Sequence, residues 1–309
     1  MTSDPLEAIP AAQRETARAA FNTAFGAVPI GTVSAVTGGA TAAAILRAEA
    51  GGRRYLLRIE GPASPLRNPH QYEALRLAAA AGIAPRLHHV DEAARVAVMD
   101  FIDGPPLAAF PGGRSALLEA LGALLRRLQA VEGFPRFVHY PDIVERLWAH
   151  VCRTGLFAAG VLDAHNARLA KLSAAYGAAA PMLVASHNDL NPRNILFDGT
   201  RLWLIDWESA YLNDPLVDVA VLLDSLAPMP ALELTLLQAW AGRAPDAAQL
   251  ARLAVVRALT RLYYAGVLFS ASALTARPAP DHDLASPSLP ALQQMLRDGR
   301  LLPGAPETK

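Results

Sequence analysis

The chain has 309 residues, 52% of them apolar, and carries as many Asp and Glu as Lys and Arg. That is ample apolar material for a core and enough length for two lobes. The balanced charge leaves no footprint for a nucleic acid or an acidic membrane. One cysteine, Cys152, excludes an internal disulfide and suits a reducing compartment. The opening MTSDPLEAIPAAQRETARAA is polar and carries acids, unlike a signal peptide, and no apolar run reaches the length of a membrane span. A soluble, cytoplasmic protein is expected.

Residues 5–25 read as a helix. SAV and AAAILRAEA then flank TGGAT, and the glycine pair at 51–52 turns the second run into RRYLLRIE, which predicts three antiparallel strands. NPHQYEALRLAAAAG reads as a helix with Asn68 as N-cap, Pro69 in the first turn and Gly82 as the stop. APRLHHVDEAARVAVMDFIDG supplies two more strands around a polar turn, so residues 30–102 form a small sheet with one inserted helix. DGPPL at 103–107 breaks the pattern as a hinge, and the chain beyond it is mostly helical. Leu117, Leu118, Leu121, Leu124, Leu125 and Leu128 recur at helical spacing. Further helices are expected near 141–152, 161–177, 214–227, 230–242, 247–275 and 289–299. The expected fold class is α+β, with residues 1–102 as an N-terminal lobe and 103–309 as a C-terminal lobe.

One segment is too polar for an ordinary hairpin: SHNDLNPRNILFDGTRLWLIDWESA, residues 186–210. Antiparallel pairing of ILF and LWLID across DGT brings Asn194 and Asp206 to the same end. A carboxylate and an amide oxygen suit Mg²⁺, which takes hard oxygen ligands and shares the rest with phosphates and water. Asp189, in the preceding loop, is then placed to accept a proton from an attacking hydroxyl. Metal ions, a base and little covalent chemistry are the equipment of phosphoryl transfer.

The pattern His187-x-Asp189-x4-Asn194, with IDWE about a dozen residues later, resembles the catalytic loop and metal hairpin of the kinase-like phosphotransferases. That group holds the aminoglycoside phosphotransferases and the choline/ethanolamine kinases. The resemblance covers roughly residues 30–275 and implies a bilobal, protein-kinase-like fold with ATP and Mg²⁺ as cofactors. Asp189 resembles the catalytic base, and Asn194 and Asp206 the magnesium ligands. His187 resembles the histidine that braces the loop, and Asp218, in NDPLVDVA, the helix-anchoring aspartate. Gly38 and Gly39 resemble the phosphate-covering turn, or form only a hairpin turn. The third strand should carry a phosphate-binding lysine, yet the only lysines are Lys171 and Lys309, and Arg58 of YLLRIEG stands there. Choline-kinase-like members commonly show arginine at this point. Glu73 matches the acidic partner that orients this cation; alternatively, Arg58 simply pairs with Glu60 along the strand. In VMDFIDG, Met99 and Phe101 flank the backbone expected to meet adenine.

The sequence HND at 187–189 and IDWESAYLNDP lean toward the choline-kinase branch. A quaternary ammonium needs an aromatic cage and a carboxylate. Tyr263 and Tyr264, with Phe269 and Trp240, are candidates for the cage, and Glu208 for a contact to substrate or metal. Ordinary helix packing is the competing reading for the two tyrosines, and Val267 falls where a second cage aromatic is expected. His88–His89 and the DHD at 281–283 are read as solvated loops for want of a complete ligand set. The resulting expectation is an ATP-dependent kinase acting on a small-molecule hydroxyl, choline or ethanolamine first. An aminoglycoside or another amino-alcohol is the second acceptor, and a nucleotide-binding pseudokinase the rival of another class. Neither nucleic acid nor membrane is expected as a partner, and a homodimer remains open.

Overall fold

The structure, a computed structural model, describes residues 5–36, 43–61, 68–178, 181–274 and 279–301. Gly38 and Gly39 lie outside the described residues. Two compact units divide the chain: Met1–Phe137 with Leu183–Ala244, and Val138–Met182 with Pro245–Lys309. The segment carrying the polar hairpin belongs to the same unit as the N-terminal sheet.

In the first unit, the helix expected over 5–25 is split by Pro10 into a 3-10 turn, Pro5–Ala8, and α1, Ala11–Phe25. A residue preceding proline disfavours helical backbone, so the chain restarts after it. The sheet contains β1 (Ile30–Ala35), β2 (Ala44–Ala50), β3 (Arg53–Ile59), β4 (Leu87–Asp91) and β5 (Val96–Asp100), with α2 (Gln71–Ala80) inserted before β4. Its order is β1-β2-β3-β5-β4, and it is antiparallel throughout; the five strands and their antiparallel pairing are as the sequence predicts. Tyr55, Leu57 and Ile59 of β3 are buried in one cluster with Leu46, Val96 and Val98 and with Ala17, Ala20 and Phe21 of α1. Side chains alternate across a strand, so Leu56 and Arg58 face the other way. The amphipathic period of β3 is what aims Arg58.

Asn68 is not the N-cap of α2, since the helix begins three residues later. Its Oδ1 accepts from His70 N at 2.9 Å, and its Nδ2 donates to the carbonyl of Ala210 at 2.7 Å, tying the start of α2 to the hairpin segment. His88 and His89 lie on β4, not in a solvated loop. His88 pairs with Asp100 at 2.7 Å and packs edge-on to Tyr55.

After β5 come α3 (Gly113–Gln129), then α4 (Tyr140–Arg153) and α5 (Asp163–Gly177) of the second unit. The six leucines expected as an apolar face of α3 are all buried. The chain re-enters the first unit through β6 (Val184–Ser186), β7 (Ile195–Phe197), β8 (Leu202–Leu204) and β9 (Tyr211–Asn213), followed by α6 (Leu216–Leu226) and α7 (Pro230–Ala241). β6 pairs with β9 and β7 with β8, both antiparallel. The second unit closes with α8 (Ala247–Ser272) and α9 (Leu289–Arg297). By length and composition α8 could span a membrane, which the sequence reading did not anticipate. It packs against α4 and α5 within this unit and buries Leu253, Val256, Leu259 and Leu262.

Candidate active site

The loop that opens at His187 hangs from a buried carboxylate. The backbone N–H groups of His187 and Asn188 each donate to Asp218, in the first turn of α6, at 2.8 Å. Burial pushes the Asp218 carboxyl up, against the pull of His187 and of these two N–H groups. Asn188 takes the left-handed conformation, φ 65°. Its amide donates to Ser209 O at 2.8 Å and accepts from Asn213 Nδ2 at 2.7 Å. The short β6–β9 sheet and this amide network therefore hold the loop on both sides. Asp218→Asn keeps the size but only one carbonyl acceptor, leaving one buried N–H unpaired. We expect a loss of about 1–3 kcal/mol of stability, read as a lower denaturant midpoint at unchanged slope.

His187 donates from Nε2 to the carbonyl of Ile205 at 2.9 Å, since a carbonyl only accepts, and its ring packs on Trp207. It joins the loop to the end of β8. Asp189 is held by two neutral amides: Asn191 Nδ2 to Oδ1 at 3.0 Å, and Asn194 Nδ2 to Oδ2 at 3.0 Å. Asn191 also accepts from Arg193 N at 3.0 Å, capping the 3-10 turn that leads to Asn194. Asn191 is a further site residue, with no part assigned to it from the sequence. Its position two residues after Asp189, before a proline, was the available signal. Because the Asn194 amide nitrogen donates to Asp189, its oxygen is turned away from that carboxylate.

Ile195 pairs with Leu204, and Ile205 N donates to Asn194 O at 3.0 Å, so Asn194 and Asp206 share one end of the hairpin as predicted. Asp198 closes the other end, accepting from Thr200 N, Arg201 N and Trp203 Nε1. Burial works against its charge, and these donors outweigh it, holding the carboxyl at about 2. Asp206 is left-handed, φ 66°. Of three non-glycine residues with positive φ among the described ones, two are in this segment; such strain persists where surroundings over-determine it, often at functional sites.

Arg58 reaches this end of the hairpin. Its Nη1 donates to Asp206 at 2.7 Å and its Nη2 to Glu208 at 2.8 Å, while Nε donates to Glu60. Burial works against the guanidinium, and the three carboxylates overcome it, holding the group above its ordinary value. Glu73 is not the partner of Arg58. Its side chain is 54% exposed and faces His70 at 3.5 Å. The strand period explains the difference: Glu60 lies two residues beyond Arg58, on the same face, and takes its Nε. Glu208, expected as a contact to substrate or metal, is placed on Arg58 beside Asp206.

Met99 is buried at the end of β5, and Phe101 N donates to Arg54 O at 3.2 Å. At Gly104 a Cβ would lie 2.1 Å from the carbonyl oxygen of Phe197, so only glycine lets the hinge cross β7 this closely. Tyr263 and Tyr264 belong to the second unit, where they contact each other edge-on and Tyr263 faces Tyr140. Trp240 belongs to the first, bonded to Gln129 Oε1 at 2.9 Å. Among the described residues no group of three or more His, Cys, Asp or Glu could cage a metal. A cation at Asn194 and Asp206 would complete its shell with phosphate and water, the habit of Mg²⁺.

An antiparallel sheet carrying a basic residue, set against an H-x-D-x4-N loop and an acidic hairpin, defines a kinase-like phosphotransferase. The sequence matches the phosphotransferase enzyme family over residues 32–254, and the chain belongs to that family of small-molecule phosphotransferases. It is 53% identical over 38 residues to protein LicA of Haemophilus influenzae, a match spanning 12% of this chain and 14% of that protein. A choline/ethanolamine kinase family protein from Mesorhizobium loti superposes with a TM-score of 0.67 at 23% identity, covering 85% of this chain and 89% of the other. Choline kinase LicA from Streptococcus pneumoniae gives 0.65 at 17%, covering 85% and 98%. A spectinomycin phosphotransferase, solved with ADP and spectinomycin, gives 0.55 at 15%, covering 80% and 84%.

Proposed function

We propose that this chain transfers the γ-phosphoryl group of ATP to the hydroxyl of a small amino-alcohol, choline or ethanolamine first, with Mg²⁺. The carrying observation is the hairpin end where Asp206 and Asn194 stand together, with Asp206 gripped by Arg58. Asp189 accepts the proton of the attacking hydroxyl. Asn191 and Asn194 fix its two oxygens, so the carboxylate need not reorganise when the proton arrives. Asn194 and Asp206 are the residues that would hold Mg²⁺, which when bound neutralises charge on the transferred phosphoryl group. Arg58 grips the phosphates with its forked donors, and the backbone near Phe101 receives adenine. Residues 1–102 then act as the nucleotide lobe and 103–309 as the catalytic and acceptor lobe, in a cytoplasmic enzyme.

The choline-like superpositions and the LicA match favour that acceptor class. A second reading, an aminoglycoside or other amino-alcohol, is favoured by Val267, which is 40% exposed where a cage aromatic was expected. The test is acceptor-dependent ADP release over a panel of amino-alcohols and aminoglycosides. Release with choline or ethanolamine at a kcat/KM of about 10⁴ M⁻¹s⁻¹ or above, the ordinary range for enzymes, supports the first reading. Release only with aminoglycosides replaces it, and none with either class removes both.

A further inference from the structure

We infer that Glu60 is the positioning residue for Arg58, doing from the same strand what an acid of α2 does not do here. The inference rests on reading Arg58 as the phosphate-gripping cation. Three observations carry it. Glu60 follows Arg58 by two residues, so both point to the same side of β3. The Glu60 side chain is only 2% exposed, and a carboxylate is kept in such a place only when paired. Its backbone is pinned too, because Glu60 N donates to Arg95 O at 2.9 Å, extending the β3–β5 ladder past the strand's end.

The choice of nitrogen explains why this site holds arginine. Glu60 takes Nε, while the two terminal nitrogens go to Asp206 and Glu208. An anchor on Nε fixes the plane of the guanidinium and leaves the fork aimed at the hairpin. A lysine has one nitrogen whose three donors rotate about the stem, so an acid bonded to it fixes no plane and aims no fork. When phosphates and a cation compete for Arg58 and Asp206, the terminal nitrogens change partners and Glu60 keeps the head in place. Without Glu60, Arg58 is free to turn and settle on Asp206 and Glu208 alone.

The two possible parts of Glu60 predict opposite signs. If it only added negative charge, Glu60→Gln would tighten the binding of an anionic nucleotide. If it positions Arg58, Glu60→Gln weakens binding. We expect the Kd for Mg²⁺ with a non-hydrolysable ATP analogue, measured by calorimetry, to rise about tenfold, as for loss of a charged hydrogen-bond partner. The KM for ATP should rise alike, with kcat within about threefold. In an Arg58→Lys background the same change should shift Kd less than about twofold, since the Nε anchor is already gone. Glu73→Gln should shift neither. Glu60→Asp, which keeps the charge but withdraws it by a methylene, is the second variant should Glu60→Gln not fold, with the same expected weakening. Unchanged or tighter binding in a folded Glu60 variant, or an equal effect in the Arg58→Lys background, overturns the inference. A wild-type chain that binds no Mg²⁺–nucleotide overturns the proposed function and this inference with it. Wild-type binding without an effect at Glu60 overturns the inference alone.

Discussion

Asp189→Asn is expected to leave the fold and nucleotide affinity intact and to lower turnover by about 10²- to 10⁴-fold, the range for removing a general base. The geometry makes this a clean substitution. Asp189 receives Asn191 Nδ2 on one oxygen and Asn194 Nδ2 on the other. An asparagine keeps one of these acceptors and turns the other into a facing pair of amide nitrogens, a local cost of about one hydrogen bond. Single-turnover measurement with saturating nucleotide separates chemistry from binding. Turnover within threefold of wild type would show that the attacking hydroxyl gives its proton elsewhere. Loss of nucleotide binding together with turnover would show instead that the loop had moved, taking Asn194 with it.

The elements legible in the sequence are those with enough residues to carry a period. The face of α3 is six leucines long, and the β1–β5 sheet has runs of five to seven residues bounded by glycines or polar turns. The strands β6 and β9 have three residues each, too few for an alternation to register, and they escaped although they clasp the catalytic loop. The motif His187-x-Asp189-x4-Asn194 was legible because its parts are close in sequence and meet across one turn. Arg58 was legible as a residue but not in its partnerships. Asp206 and Glu208 stand 148 and 150 residues away from it, and no local pattern announces a pair at that separation. The acid expected from α2 rests on a resemblance, while the alternative, Arg58 pairing with Glu60 along the strand, is the contact the structure shows. The strand period alone puts Glu60 on the right face. The bonds of Asn68, Asn188 and Asn213 have no local pattern either, since they span 142, 21 and 25 residues.

Asp206→Ala is expected to remove activity by about 10³-fold or more, the loss when several kcal/mol of metal-borne charge stabilisation disappears. The residue has two connections, and they separate experimentally. Toward the cation, Asp206 is the carboxylate that shares the hairpin end with Asn194, so its loss should raise the Mg²⁺ concentration for half-maximal activity by at least about tenfold. Toward Arg58, it is one of three carboxylates, and Glu60 and Glu208 remain to hold the guanidinium. The fold should therefore survive, with a denaturant midpoint close to wild type. Asp206→Asn refines the point: it keeps an oxygen toward Arg58 but loses the charge that competes for a divalent ion. Both variants should share the altered Mg²⁺ dependence, with the asparagine retaining more nucleotide affinity. A normal Mg²⁺ titration in either would move the metal away from this hairpin. Asp206 would then be a counter-ion for Arg58, and the left-handed turn that presents it would lack the use proposed for it.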